Sequence, residues 1–124
     1  SGFEVAPQNR GPVKLSNCGF WGRAGAGSQM ILGGVGSVFL TATHFSAWDQ
    51  DRQGLPCIDA RAGKLILSGV DFMDAGPVGP HVNLGEDVVY ASITGTSCAD
   101  GALRIANRSS GELQILGAWQ SVAE

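Results

Sequence analysis

Along the chain, small and apolar residues return with a period of about 25 residues. Four stretches carry the pattern: VKLSNCGF (13–20), VFLTATHF (38–45), LILSGVDF (65–72) and VYASITGT (89–96). Their starts lie 25, 27 and 24 residues apart, and LQILGAWQ begins at 113, a further 24 along. Positions one, three, six and eight of each copy are small or apolar. They are Val13, Leu15, Cys18 and Phe20; Val38, Leu40, Thr43 and Phe45; Leu65, Leu67, Val70 and Phe72; Val89, Ala91, Thr94 and Thr96. Positions one and three alternate as a strand does, with successive side chains on opposite faces. The step from three to six breaks that alternation, as a single left-handed or bulged residue joining two short strands at a corner would. Position five is Asn17, Ala42, Gly69 and Ile93. Asn and Gly tolerate φ > 0, whereas Ala42 and Ile93 suit it less.

A third strand precedes each corner unit: MILG (30–33), CIDA (57–60), HVNL (81–84) and ALRI (102–105). Its inward pairs are expected to be Ile31/Gly33, Ile58/Ala60, Val82/Leu84 and Leu103/Ile105. Turns follow in GVGS, RAGK, GEDV and NRSSGE. The chain start repeats the last copy, since FEVAPQNRGPVKL (3–15) lines up with LRIANRSSGELQI (103–115) without a gap. Three short strands per repeat predict an all-β chain forming one parallel β-solenoid domain over 1–124. It would have about five coils, each pairing with the next and stacking like side chains inside. No helical 3.6-residue periodicity competes with this reading.

Composition agrees. Nineteen of 124 residues are glycine and only Lys14 and Lys64 are lysines, which suits an all-β chain rich in tight turns. A hydrophobic share of 44% marks a globular chain. A net charge of −3 argues against non-specific nucleic-acid binding, which needs a basic footprint. No apolar run approaches the ~18 residues of a spanning helix. Cys18, Cys57 and Cys98 are too few and too widely spaced for a disulfide framework or a zinc motif, so small buried or half-buried side chains are expected.

LTATHF (40–45) resembles the stretch that carries the catalytic histidine of chymotrypsin-like proteases. With His44 as base, the acid would be Asp87 and the nucleophile Ser97. Only ten residues separate those two, which leaves no room for the second barrel of that fold. Within the repeat, LTA is simply a coil's inward strand.

The phrases GSVFLTATHFSAW, GKLILSGVDFMDA and GPVKLSNCGFWG resemble coils of the right-handed parallel β-helix of the pectate-lyase-like superfamily. Its members include polysaccharide lyases, glycoside hydrolases, tailspikes and adhesins. The resemblance implies an extracellular or cell-surface, polysaccharide-directed module, with a substrate groove along the third strand beside the loops. Outward positions there would stack Asp59, Asn83 and Arg104 into a polar ladder with His81 at its edge, ~4.8 Å per coil. Asp59, His81 and Arg104 are thus the candidate acid/base and carboxylate-pairing groups, and Asn83 and Arg52 candidate sugar contacts. The competing reading is a solvated sheet face. His44 and Asp71 would form a cross-strand pair. Trp21, Trp48 and Met73 would stack on sugar rings or anchor loops. Asp49 and Asp51, with Asp74 from the next loop, are the candidate Ca²⁺ ligands, against the simpler reading of a solvated turn. Asn107-Arg108-Ser109 matches a glycosylation sequon, relevant to a secreted eukaryotic chain. Five coils without a capping helix imply the C-terminal part of a longer protein, or ends covered by oligomerisation. A non-catalytic adhesion or tail-fibre element, working through shape and oligomerisation and favoured by a trimeric assembly, is the alternative role.

Overall fold

The computed structural model describes residues 2–21, 27–73, 79–99 and 101–117. These residues form twelve strands and no helix: β1 (Phe3–Val5), β2 (Val13–Ser16), β3 (Gly19–Trp21), β4 (Met30–Leu32), β5 (Ser37–Thr41), β6 (His44–Ser46), β7 (Ile58–Ser68), β8 (Asp71–Phe72), β9 (Val82–Thr94), β10 (Ser97–Cys98), β11 (Ile105–Asn107) and β12 (Glu112–Leu116). Every strand pair is parallel. The chain is a β-solenoid of three faces. The first face stacks β1, β4, the leading halves of β7 and β9, and β11. The second stacks β2, β5, the trailing halves of β7 and β9, and β12. The third stacks β3, β6, β8 and β10. About four turns are complete and β11 and β12 begin a fifth, slightly fewer than the five coils expected.

The interior is built from columns of like side chains. Phe3, Met30, Ile58, Val82 and Ile105 form one, and Leu15, Leu40, Leu67, Ile93 and Ile115 another. On the third face Phe20, Phe45 and Phe72 stack at 5.0 and 5.6 Å with interplanar angles of 17° and 18°, and Cys98 continues the column. Phe45 and Phe72 are fully enclosed, and burying a side chain of this size stabilises by ~1.5–3 kcal/mol. Members of the end coils, such as Val13 and Leu113, are only half-buried because each has a neighbour on one side.

The register differs from the sequence expectation at three places. In the fourth copy Leu65 lies on Ala91, not Val89. Between the two faces β9 runs six residues from Leu84 to Tyr90 where β7 needs four from Ala60 to Lys64, so β9 absorbs two irregularities. Val89 is expelled to the surface, 57% exposed. The inward set of that coil is therefore Ala91, Ile93, Thr96 and Cys98, and its corner residue is Gly95 rather than Ile93. In the second coil Met30 and Leu32, not Ile31 and Gly33, point inward, because Met30 pairs with Ile58. In the last coil Ile105 pairs with Val82 and Ala106 with Asn83. The match of 3–15 to 103–115 thus holds for Val13/Leu113 and Leu15/Ile115 but needs a two-residue gap for Phe3, whose column ends at Ile105.

The corner between the second and third faces is where expected in the first three coils, at Asn17, Ala42 and Gly69. Asn17, Ala42, Gly69, Gly95 and Gly117 all have φ between 50° and 67°. Their N–H groups form a ladder, Asn17 to Thr41, Ala42 to Ser68, Gly69 to Thr94 and Gly95 to Leu116, each donating to the next coil's carbonyl at 2.9–3.0 Å. Cys57 and Cys98 are buried and Cys18 half-buried, and all three are free thiols. Among the described residues no helix is long and apolar enough to cross a membrane.

Candidate functional site

Parallel stacking brings Asp59 of β7 and Asn83 of β9 side by side on the outer surface of the first face. Asn83 Nδ2 donates to Asp59 Oδ1 at 2.8 Å, and Arg61 Nε donates to Asp59 Oδ2 at 3.0 Å. Arg108 extends the chain of contacts, its guanidinium 3.4 Å from Asn83 Oδ1. Asp59, Asn83 and Arg108 floor an open cleft of ≈ 320 Å³, with Ala106 beside them and Gly54, Pro56 and Pro80 from the loops as its wall. The volume is at the small end of the range for ligand sites. Asp59 and Asn83 were legible from the repeat. Arg61, Arg108 and the two prolines were not: Arg61 reaches back along its own strand to Asp59, Arg108 depends on the last-coil register, and the prolines lie in loops whose resting place the repeat does not set.

Two further ladder members are displaced. Ala106, not Arg104, occupies the outward position over Asn83. Arg104 lies just before β11, where its guanidinium donates to Gly79 O at 2.9 Å and its backbone N–H to His81 Nδ1 at 2.9 Å. His81 is not at the ladder's edge. It is fully buried, 4.8 Å from the Phe72 ring and 5.6 Å from Trp48. Accepting an N–H at Nδ1 assigns its proton to Nε2, a neutral imidazole used in packing. Trp48 is likewise fully buried against Phe72 and His81 and presents no face to a ligand. In the 47–57 connection the chain leaving the third face turns inward, so that Trp48 packs on Phe72 and His81 and both Trp48 and His81 end up inside.

Asp49 is the organising group of that return. It is 1% exposed with φ 50°. Its Oδ1 accepts from Gln53 N–H at 2.9 Å, and its Oδ2 from Gly54 and Gly79 N–H at 3.1 Å each. Burial raises its pKa, but the backbone N–H groups of Leu55, Gln53, Gly54 and Gly79 outweigh this and hold it below the ordinary value of 3.8. Dipoles aimed at a carboxylate from several sides occupy the lone pairs a cation would use. Gly79 is gripped twice, its N–H by Asp49 and its carbonyl by Arg104. Asp51 and Arg52 are exposed on the same loop, with Arg52 N–H donating to Asp49 O at 2.9 Å. Asp74 lies outside the described residues. Among the described residues no group of three or more His, Cys, Asp or Glu gathers around a point that could hold a metal.

The third face holds a second polar row. His44, Asp71 and Ser97 are in register on adjacent strands. Their order is wrong for a nucleophile–base–acid relay: Asp71 is in the middle and accepts from Ser97 Oγ at 2.8 Å. His44 sits two strand spacings from Ser97, ~10 Å. The imidazole leans the other way. A Cβ on Gly19 would lie 2.5 Å from its Nε2, and the ring packs edge-on to Trp21 at 5.7 Å. The expected His44–Asp71 pair is therefore adjacent in register without a hydrogen bond between the side chains. Trp21 is 69% exposed but stands on this third face, away from the cleft.

No protein-family model, curated protein or solved structure matches the chain.

Proposed function

We propose that this chain is a carbohydrate-binding β-solenoid module, the C-terminal section of a longer extracellular polysaccharide lyase or glycoside hydrolase of pectate-lyase-like type. The observation that carries the reading is the cleft on the first face. Its floor offers a fixed line of polar groups, Asp59, Asn83 and Arg108, for sugar hydroxyls or a carboxylate, and its wall offers Pro56 and Pro80 to an apolar ring face. Binding is favoured over turnover by this chain alone. Acid/base cleavage of a glycosidic bond calls for two carboxylates. Asp59 is the only acid among the described cleft residues, and both of its oxygens are engaged.

The test is a glycan array followed by calorimetric titration of the oligosaccharides it selects. Asn83→Ala and Arg108→Ala should each weaken binding by about tenfold, a loss of ~1.4 kcal/mol, and the exposed Arg108→Ala should do so with the melting temperature unchanged. Glycan binding that ignores both substitutions, or none up to millimolar sugar, rejects the cleft.

A further inference from the structure

The wall of the cleft has little packing of its own. Residues 50–55 are exposed and Pro56 and Pro80 are half-buried, so these segments hide little apolar surface. Segments of that kind open easily unless polar ties fix them. The ties converge on Gly79, the buried residue before Pro80. Gly79 N–H donates to Asp49 Oδ2 at 3.1 Å, and the same oxygen accepts from Gly54 N–H at 3.1 Å. Gly79 C=O accepts from the Arg104 guanidinium at 2.9 Å. Both charged residues are mounted on the core. Asp49 follows the fully buried Trp48. Arg104 is tied twice to the fully buried His81, donating its N–H to Nδ1 and accepting from the His81 N–H, each at 2.9 Å. The meeting point also requires a glycine. A Cβ on Gly79 would run into Leu55 O, so the two loop ends touch backbone to backbone there.

We propose that Asp49 and Arg104 are the positioning residues of the cleft, fixing the wall of Gly54, Pro56 and Pro80 at its distance from the floor of Asp59, Asn83 and Arg108. The inference rests on the cleft being the sugar site. Neither side chain lines the cleft; each acts on it through backbone groups. Bonds from a charged group to the backbone are about twice as strong as neutral ones, which suits side chains that must hold a wall with little apolar support. The two prolines move as one, because Cys57 N–H, beside Pro56, donates to Pro80 O at 3.2 Å. A sugar ring between wall and floor is sensitive to that movement. A gap of ~0.5–1 Å forfeits roughly a quarter to a half of each van der Waals contact.

The experiment measures amide hydrogen exchange by NMR and, in parallel, calorimetric affinity for the oligosaccharide that gives the strongest array signal. The chains compared are the parent, Asp49→Asn, Arg104→Met, Arg104→Lys and Gly69→Ala. Asp49→Asn sets an amide NH₂ against backbone donors, Arg104→Met keeps the length and drops the donor, and Arg104→Lys keeps a charged donor. Exchange protection should fall at least about tenfold at Gly54 and Gly79 in Asp49→Asn, and at Gly79 in Arg104→Met. Leu67 and Ile93, in β7 and β9, should keep theirs. Sugar affinity should fall about tenfold in both variants, and Arg104→Lys should retain most of it. Gly69→Ala, strained at the corner between the second and third faces, should lose stability with parent-like affinity, which separates placement of the wall from stability in general. Unchanged protection at Gly54 and Gly79, a loss shared equally by the strand amides, or parent-like affinity in a chain whose wall amides have opened overturns the proposal. A parent chain that binds no glycan rejects the cleft reading instead, and exchange at Gly54 and Gly79 then decides alone whether these two side chains hold the wall.

Discussion

Two corners of the same coil solve the same problem by different means. Between the second and third faces the chain turns through one left-handed residue per coil. Asn17, Ala42 and Gly69 serve in successive coils, because the turn requires a torsion and leaves space around it. A Cβ on Gly69 would meet Ala42 N at 3.8 Å, an ordinary contact. Between the first and second faces the chain passes Gly36 and Gly63, and there the requirement is room. A Cβ on Gly36 would lie 2.4 Å from Gly11 O, and one on Gly63 2.5 Å from Gly36 O. The coil that carries Val88 in place of this glycine is the one that bulges and expels Val89. A torsional requirement admits several residue types at modest cost, whereas a collision with backbone admits none.

That contrast can be broken by substitution. Gly63→Ala combines the collision with φ 78° and should cost at least ~3 kcal/mol, read as a large fall in the urea midpoint. A loss below ~1 kcal/mol would mean the corner yields and the contrast is empty. Next in size is the loop side of the coil, where a side chain replaces backbone geometry. Asp49→Ala strands the buried N–H groups it accepts from and should cost ~2–3 kcal/mol. The sign of the pH effect follows from its lowered pKa. The stabilisation is complete above the unfolded aspartate value of ~3.9 and is lost as pH falls through the folded value. Denaturation midpoints between pH 6 and pH 2 should therefore fall less steeply in Asp49→Asn than in the parent. At the torsional corner Gly69→Ala should cost only ~1–2 kcal/mol. Smallest is Ala42→Gly, expected to stabilise by ~0.5 kcal/mol as strain relief exceeds the added chain entropy. A destabilising Ala42→Gly would show that φ 50° at that position is not under strain.

The corner at Asn17, Ala42 and Gly69 was legible because a three-residue step between inward positions has few other physical causes. The fourth coil was misread for a definite reason. Val89 is more apolar than Ala91, and an alignment by hydrophobicity prefers it, whereas the bulge puts Ala91 in the column. Asp59 and Asn83 were correctly brought together because they lie in the two coils whose first-face registers were read correctly. Arg104 failed because the last coil slips by two residues. His81, Trp48 and Asp49 failed for another reason. Polar and aromatic residues beside a loop read as exposed, and only the return of that loop over the coil encloses them.

The linear order of residues was sufficient for the class of fold, the inward columns of the regular coils and the position of the left-handed corner. These follow from periodicity and torsional preference, both local properties of a chain. Tertiary structure alone decided the register through the bulge, the burial of His81 and Asp49, and the gathering of Arg61, Arg108 and the prolines around Asp59 and Asn83. Each depends on backbone segments a full coil apart meeting at fixed distance, and neither pattern nor propensity along the chain encodes where a loop comes to rest.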